Sequence, residues 1–519
     1  MNNNAALLRT LIIYTICVPL AIVVGGLVTS AGEMSSRAPW IEAGLLLLLL
    51  SMPILLRWHH LLMILSWNLP VTIFFLPAAP QVWLPMVVAS LGISMLQRTL
   101  NPNLRFIPTP QITWPLLFLI AVVLATAKLT GGFGLKSLGN EVMGGKKYVF
   151  LLMGIFGFFA LTARRIPPHQ ARLCVVLFFL SGSLNVVGDL ISFLPGPFQY
   201  LYLFFPPDSY VLLNQPGEVR FAGAEQMSLA VFSFMLARYG IGGIFQSGKP
   251  WRAAVFILFI TLGLFGGFRG MLMNCTLVFS ILFFLEGLHR TKLLPLAVFA
   301  GLLAAVCLYP LADRLPFTFQ RALAFLPANV MKIDPAIRRE AEVSSEWRIQ
   351  MWKALLPQVS AHLLLGKGYA LTREDMQLMG KDSAFHSMDL AQQGLAISGD
   401  YHNGPLSVIL PFGIWGALAF LWFLIAGLWA LHRNRLYGDP ALHTVNTFLF
   451  AAFLAHIIFF FGAFGALSLD IVSFAGVLGL SISLNGGISR PSLEKPAAAA
   501  AERPARIPAR PRLQPVFPR

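Results

Sequence analysis

Apolar runs of about 20 residues, separated by short basic or Pro/Gly-rich breaks, recur along the chain from its beginning to about Leu484. Each is long enough to cross a hydrocarbon core about 30 Å thick as a helix. The pattern predicts an all-α polytopic membrane protein with about 12–14 transmembrane helices. The first run, Leu11 to Val28, follows a single Arg9 and lacks a small-residue cleavage site, so it reads as a retained span. One interruption is far longer than the rest. Leu311 to Tyr401 carries ten basic and ten acidic side chains and the amphipathic stretch "SSEWRIQMWKALLPQVSAHLLL", which predicts one large, partly helical loop. After Asn485 the chain turns to Pro, Ala and Arg, a composition that cannot bury enough apolar surface to offset the entropy of ordering. The expected organisation is transmembrane helices 1–11 in residues 1–310, an extracytoplasmic loop subdomain in 311–401, helices 12–14 in 402–487, and a disordered basic cytoplasmic tail in 488–519.

Composition agrees with the pattern. Of 519 residues 57% are hydrophobic and 12% charged, and the mean hydropathy is +0.72. The net charge of +16 would point to nucleic acid in a soluble protein. Here the basic residues sit in short connections beside spans: Arg57 with His59 and His60, Arg98 with Arg105, Arg164, Arg165 and Arg172, Arg238 to Arg252, His289 to Lys292, His432 to Arg435, and the tail from Arg490. Every second connection is basic, which puts these connections in the cytoplasm, excludes nucleic acid as the partner and leaves membrane lipids as one. The four cysteines, Cys17, Cys174, Cys275 and Cys307, lie far apart inside apolar runs and define neither a disulfide framework nor a metal cluster.

Two arginines break the charge bias. On this topology Arg220 in "EVRFAGAEQMSLAVF" and Arg269 in "LFGGFRGMLMN" both fall near the outer surface. Each either snorkels to lipid phosphate or caps a helix, or else serves a site, since a guanidinium among spans is costly unless paired or hydrated. Gly266, Gly267 and Gly270 around Arg269 allow a tight turn and close backbone approach, and a planar five-donor fork suits a phosphate or diphosphate. In the long loop Arg348 and Trp352 stand four apart on one helical face, ahead of a Gly-Lys-Gly turn. That pair also fits an arginine stem covering a packed ring. His362 and His386 read as ordinary loop histidines. His402 stands in "GDYHNGPLSVILPFGIWG" at the mouth of a span, with Asn403 as its helix cap. It is either an interfacial imidazole or a general base. No Asp-x-Asp, His-Glu-x-x-His, Walker or Gly-x-Ser-x-Gly motif is present, which removes support for metal hydrolysis, ATP-driven transport and serine hydrolysis. Four acids fall in or beside spans, Asp189, Glu225, Glu286 and Asp470, and they suggest only weakly a relay for ion-coupled transport.

Taken in order, these segments resemble the O-antigen ligase and polysaccharide polymerase superfamily of bacterial envelope proteins. "VRFAGAEQMSLA" is similar to the family's Arg-x-x-Gly segment, "GGFRGMLM" to its Ser-Arg-Gly turn, "RIQMWKALLPQVSAHLLLGKGY" to its Arg-x-x-x-Trp helix with Gly-x-Gly, and "YHNGPLSVILPFGIWG" to its His-Asn motif. The resemblance covers roughly residues 200–430. Phe268 replaces the family's serine, and Glu225-Gln226-Met227 its Pro-Asn. What the resemblance implies is a GT-C-like fold and a metal-independent, inverting glycosyl transfer without a cofactor, on the periplasmic face of the bacterial inner membrane. The donor would be a glycan on undecaprenyl diphosphate, and the acceptor a lipid A core sugar or another lipid-linked glycan. Arg220, Arg269 and Arg348 would hold the diphosphate, His402 would act as base, and Tyr401, Asn403 and Trp352 would support it. A transporter or flippase for a lipid-linked or anionic solute is the alternative.

Overall fold

The computed structural model describes residues 38–76, 78–101, 103–130, 145–207, 220–327, 331–369 and 399–491. These segments are helical, and the one β-type contact among them is an isolated bridge between Thr72 and Gln81. Among the described residues eight helical segments are long and apolar enough to cross a membrane, and three shorter apolar helices accompany them. The expected span at Leu11–Val28 and the tail from residue 492 lie outside the described residues.

In chain order the helices are α1 (Ala38–Ser66), α2 (Trp83–Leu100), α3 (Pro110–Leu129), α4 (Gly145–Thr162), α5 (Pro168–Leu180), α6 (Ala222–Phe245), α7 (Pro250–Gly263), α8 (Arg269–Leu285), α9 (Leu293–Leu308), α10 (Phe317–Leu323), α11 (Pro335–Ala361), α12 (Gly404–Tyr437), α13 (His443–Gly462) and α14 (Leu467–Asn485). Helix α5 continues through a 3₁₀ turn and a short helix to Ile191, and the whole is one candidate span. The core is an aromatic-rich seam joining α4, α6, α12, α13 and α14. Small residues let the helices close on one another, as van der Waals packing in lipid requires. The backbone of Gly476 lies against the Trp67 indole, and Gly154 packs on Ile471 and Val472.

Contacts at one end of the bundle gather the basic connections. Ser483 Oγ donates to Arg164 O (2.6 Å), Arg433 Nε to Ser489 O (3.2 Å), and Ile107 N to Thr162 O (3.3 Å). Asn434, Asn446 and Asn485 tie α12, α13 and α14 together there through side-chain hydrogen bonds. One expected connection is corrected. Arg57, His59 and His60 stand inside the continuous helix α1, not between two spans. Their polarity suggests a break, but His59 Nδ1 lies 3.0 Å from Ser90 Oγ and His60 Nε2 2.8 Å from Leu161 O, so each ring finds a partner inside the bundle. The acids of the spans also serve helix starts. Asp189 accepts from Ala224 N and Asp470 from Ala466 N, while Glu286 accepts from Ile241 N and Gly242 N where α6 breaks at Gly240.

Helix α12 is itself broken. Gly413 has φ +60° and ψ −160°, a conformation that suits glycine, and Pro411 removes one helical donor. The carbonyls of Leu410 and Pro411 accept from Lys367 N and Gly368 N at 2.9 Å each, and Ile414 N donates to Leu363 O at 2.7 Å. The Gly-Lys-Gly turn predicted after α11 is thus built into the break of a spanning helix.

Candidate functional site

At the end of the bundle opposite the asparagine cluster, α6, α8 and α12 all begin, and α11 runs across them. Helix α8 has 17 residues, about 25 Å of rise. The turn before it uses Gly267 at φ +67°, and the N-terminal residue Phe268 supplies no side-chain cap. This turn holds two arginines. Arg220, only 6% exposed, donates from Nε to Gly266 O at 3.1 Å and lays its guanidinium over the Phe268 ring at 4.0 Å. Phe268 therefore gives Arg220 an aromatic floor. Arg269, the first residue of α8 and half-buried, donates from Nη1 to Ala341 O at 3.2 Å. Among the described residues no carboxylate pairs with Arg269, because Glu340 beside it is bonded to Arg321.

From Ala341 the same helix α11 leads to the histidine. Six residues on, about 9 Å along the axis, the Trp347 ring meets His402 with centroids 5.7 Å apart. Arg348 is adjacent, its guanidinium 5.9 Å from the Trp347 ring. Trp352 Nε1 donates to Tyr401 O at 2.8 Å, which pins the backbone next to His402. Tyr401 is buried with Met351, Leu355, Leu406 and Leu410, and burial pushes its phenol above the usual value. Asn403 caps α12, its side chain accepting from Leu406 N at 3.0 Å. Gly404 follows because a Cβ there would lie 2.2 Å from Phe460 O.

His402 has φ +48°, a left-handed conformation that a non-glycine residue adopts at a cost of about 1–2 kcal/mol. Its ring lies between Trp347 and Phe464, the latter at 4.9 Å and 35°. Its Nδ1 is 3.3 Å from Asp400 Oδ1. Burial pushes the Asp400 carboxyl up, but hydrogen bonding and charge from His402, with the charge of Lys147, outweigh it and hold the group below its usual range.

The end of α13 closes the circuit. Phe459 touches the start of α8 at Gly270, Phe460 packs on Gly404, and Phe464 covers His402. Arg220, Arg269, Arg348, Trp352, Tyr401, His402 and Asn403 are thus linked by direct contacts through α11, α13 and one glycine turn. His362 stands apart, its Nδ1 3.0 Å from Gln358 O, and His386 lies outside the described residues.

Sequence reasoning missed four contributors. Trp347 and Phe464 look like ordinary aromatic residues in apolar company. Asp400 is separated from His402 by one residue, a spacing that becomes a contact only in a turn. The Ala341 carbonyl that anchors Arg269 has no side-chain signature at all.

The arrangement can hold fixed positive charge at a glycine turn and an imidazole against the same helix α11, as transfer from an anionic leaving group to a hydroxyl requires. A comparison with curated proteins finds no match to the chain. Residues 253–421, which include Arg269, Arg348 and His402, match the family model described as O-antigen ligase, and with that match the chain's resemblance to the O-antigen ligase and polysaccharide polymerase superfamily is borne out over this segment.

Proposed function

We propose that this protein is a metal-independent, inverting glycosyltransferase of the O-antigen ligase type. It moves a glycan from undecaprenyl diphosphate to a hydroxyl of a lipid A core sugar or of another lipid-linked glycan. It does so at the periplasmic face of the bacterial inner membrane. The observation that carries this reading is the single helix α11, which contacts Arg269 through Ala341 O and His402 through the Trp347 ring.

His402 takes the proton of the acceptor hydroxyl as its oxygen attacks the anomeric carbon. The bond from that carbon to the diphosphate oxygen breaks, and undecaprenyl diphosphate leaves with the electron pair. Arg220, Arg269 and Arg348 stabilise the charge that develops on it, in a site partly closed to water. Attack opposite the leaving group inverts the anomeric centre. Tyr401, Asn403 and Trp352 hold the histidine backbone and touch no substrate.

The test is to incubate purified protein in lipid nanodiscs with undecaprenyl-diphosphate oligosaccharide, with and without a lipid A core acceptor. Longer lipid-linked glycans identify a polymerase and glycosylated lipid A a ligase. Movement of the donor across vesicles without a new glycosidic bond overturns the proposal in favour of a flippase.

A further inference from the structure

Asp400 Oδ1 and His402 Nδ1 face each other at 3.3 Å, and both atoms are buried without a hydrogen bond to any other described group. Buried polar atoms left in that state are costly, so each is the other's means of satisfaction. The faces of the imidazole are already set by Trp347 and Phe464. Its backbone is fixed by the Trp352–Tyr401 hydrogen bond on one side and the Asn403 cap on the other. What those contacts leave open is the choice of tautomer, and among the described residues the polar group that faces the ring nitrogen Nδ1 is the Asp400 carboxylate.

We propose that Asp400 is a positioning residue for transfer: it accepts the Nδ1–H of His402 and so leaves Nε2 bare as the basic atom. The inference rests on the reading of His402 as the base. As the acceptor oxygen bonds to the anomeric carbon and the diphosphate departs, its proton passes to Nε2. The imidazolium that forms keeps its Nδ1–H on the carboxylate, whose negative charge stabilises it, and Nε2 later returns the proton to water. Lys147 supplies charge that helps keep Asp400 ionised for this role.

An amide in place of the carboxylate can donate to Nδ1 as well as accept from it, which permits the opposite tautomer with Nε2 protonated. Asp400→Asn is therefore expected to lower kcat roughly 10²- to 10⁴-fold, the usual contribution of a general base, with KM near native. Asp400→Glu, which keeps the charge, recovers much of the loss. A second readout needs no substrate: in protein with ring-¹⁵N histidine, the His402 signal, assigned by its disappearance in His402→Gln, reports an Nδ1-protonated ring at alkaline pH. In Asp400→Asn it moves toward the Nε2-protonated form. Native kcat in Asp400→Asn, or an unchanged His402 tautomer, overturns the inference. If instead His402→Ala retains transfer, the general-base reading fails, whatever the tautomer measurement gives.

Discussion

The start of α8 at Arg269 and the start of α12 at Gly404 lie at the same end of the bundle and are built by opposite means. At Arg269 main-chain geometry does the work. A left-handed glycine turns the chain, no side chain caps the helix, and the guanidiniums are anchored on the carbonyls of Gly266 and Ala341. At Gly404 side chains do the work: the Asn403 cap, the Trp352 indole, the buried Tyr401 ring and the Asp400 carboxylate surround His402. The difference fits what the proposed function asks of each start. A carbonyl holds Arg269 in place without cancelling its charge, so the positive field persists for an anion. An imidazole acting as a base needs one fixed orientation, and that takes shaped side chains.

Substitutions at the two starts separate these roles. The largest effect is expected at His402→Ala: transfer falls roughly 10²- to 10⁴-fold while thermal unfolding and membrane insertion stay near native, as checked by product assay beside a melting curve. Near-normal glycan chains from this variant would remove the base from the scheme. Next, Arg269→Ala lowers kcat/KM by roughly 10²–10³-fold, the scale of one lost transition-state donor. Arg269→Lys recovers part of that, because an ammonium restores charge but not the planar fork. Equal activity of the Lys and Ala variants would show that the fork, and not the charge, is what the turn presents. Trp352→Phe keeps a ring but loses the donor to Tyr401 O, with an expected cost of about 1 kcal/mol in stability and a several-fold lower kcat at unchanged KM. The smallest effect is at Asn403→Ala, where the lost cap costs about 1 kcal/mol of stability with little change in KM.

Much of this was legible in the chain. Apolar length announced the spanning helices, and the arginines against the charge bias, Arg220 and Arg269, fall together at one glycine turn. The His-Asn-Gly order signalled a capped helix start, as Asn403 shows. What could not be read were contacts that depend on closure of the fold. The Arg269 anchor is a backbone oxygen 72 residues away. The Gly-Lys-Gly turn looked like the end of an amphipathic helix, but its donors serve carbonyls freed by Pro411 and Gly413. Arg57, His59 and His60 looked like a connection because the sequence does not show that Ser90 and Leu161 supply partners inside the bundle. Apolarity also misleads about packing. The segment Leu293–Arg314, which begins with α9, exceeds α14 in mean hydropathy (2.2 against 1.9), yet none of its most apolar window is buried against 72% for α14. In lipid the apolar face is already solvated, so small residues and polar partners decide which helices associate.

The mended break in α12 sets limits on how this protein can be re-engineered. Residues 363–368 supply hydrogen bonds that the spanning helix cannot make for itself, so loop and helix form one inseparable unit at that depth. A chimera that exchanges the long loop must carry residues 404–414 with it. Otherwise the graft leaves the buried carbonyls of Leu410 and Pro411 without donors, and the break in the helix is no longer held.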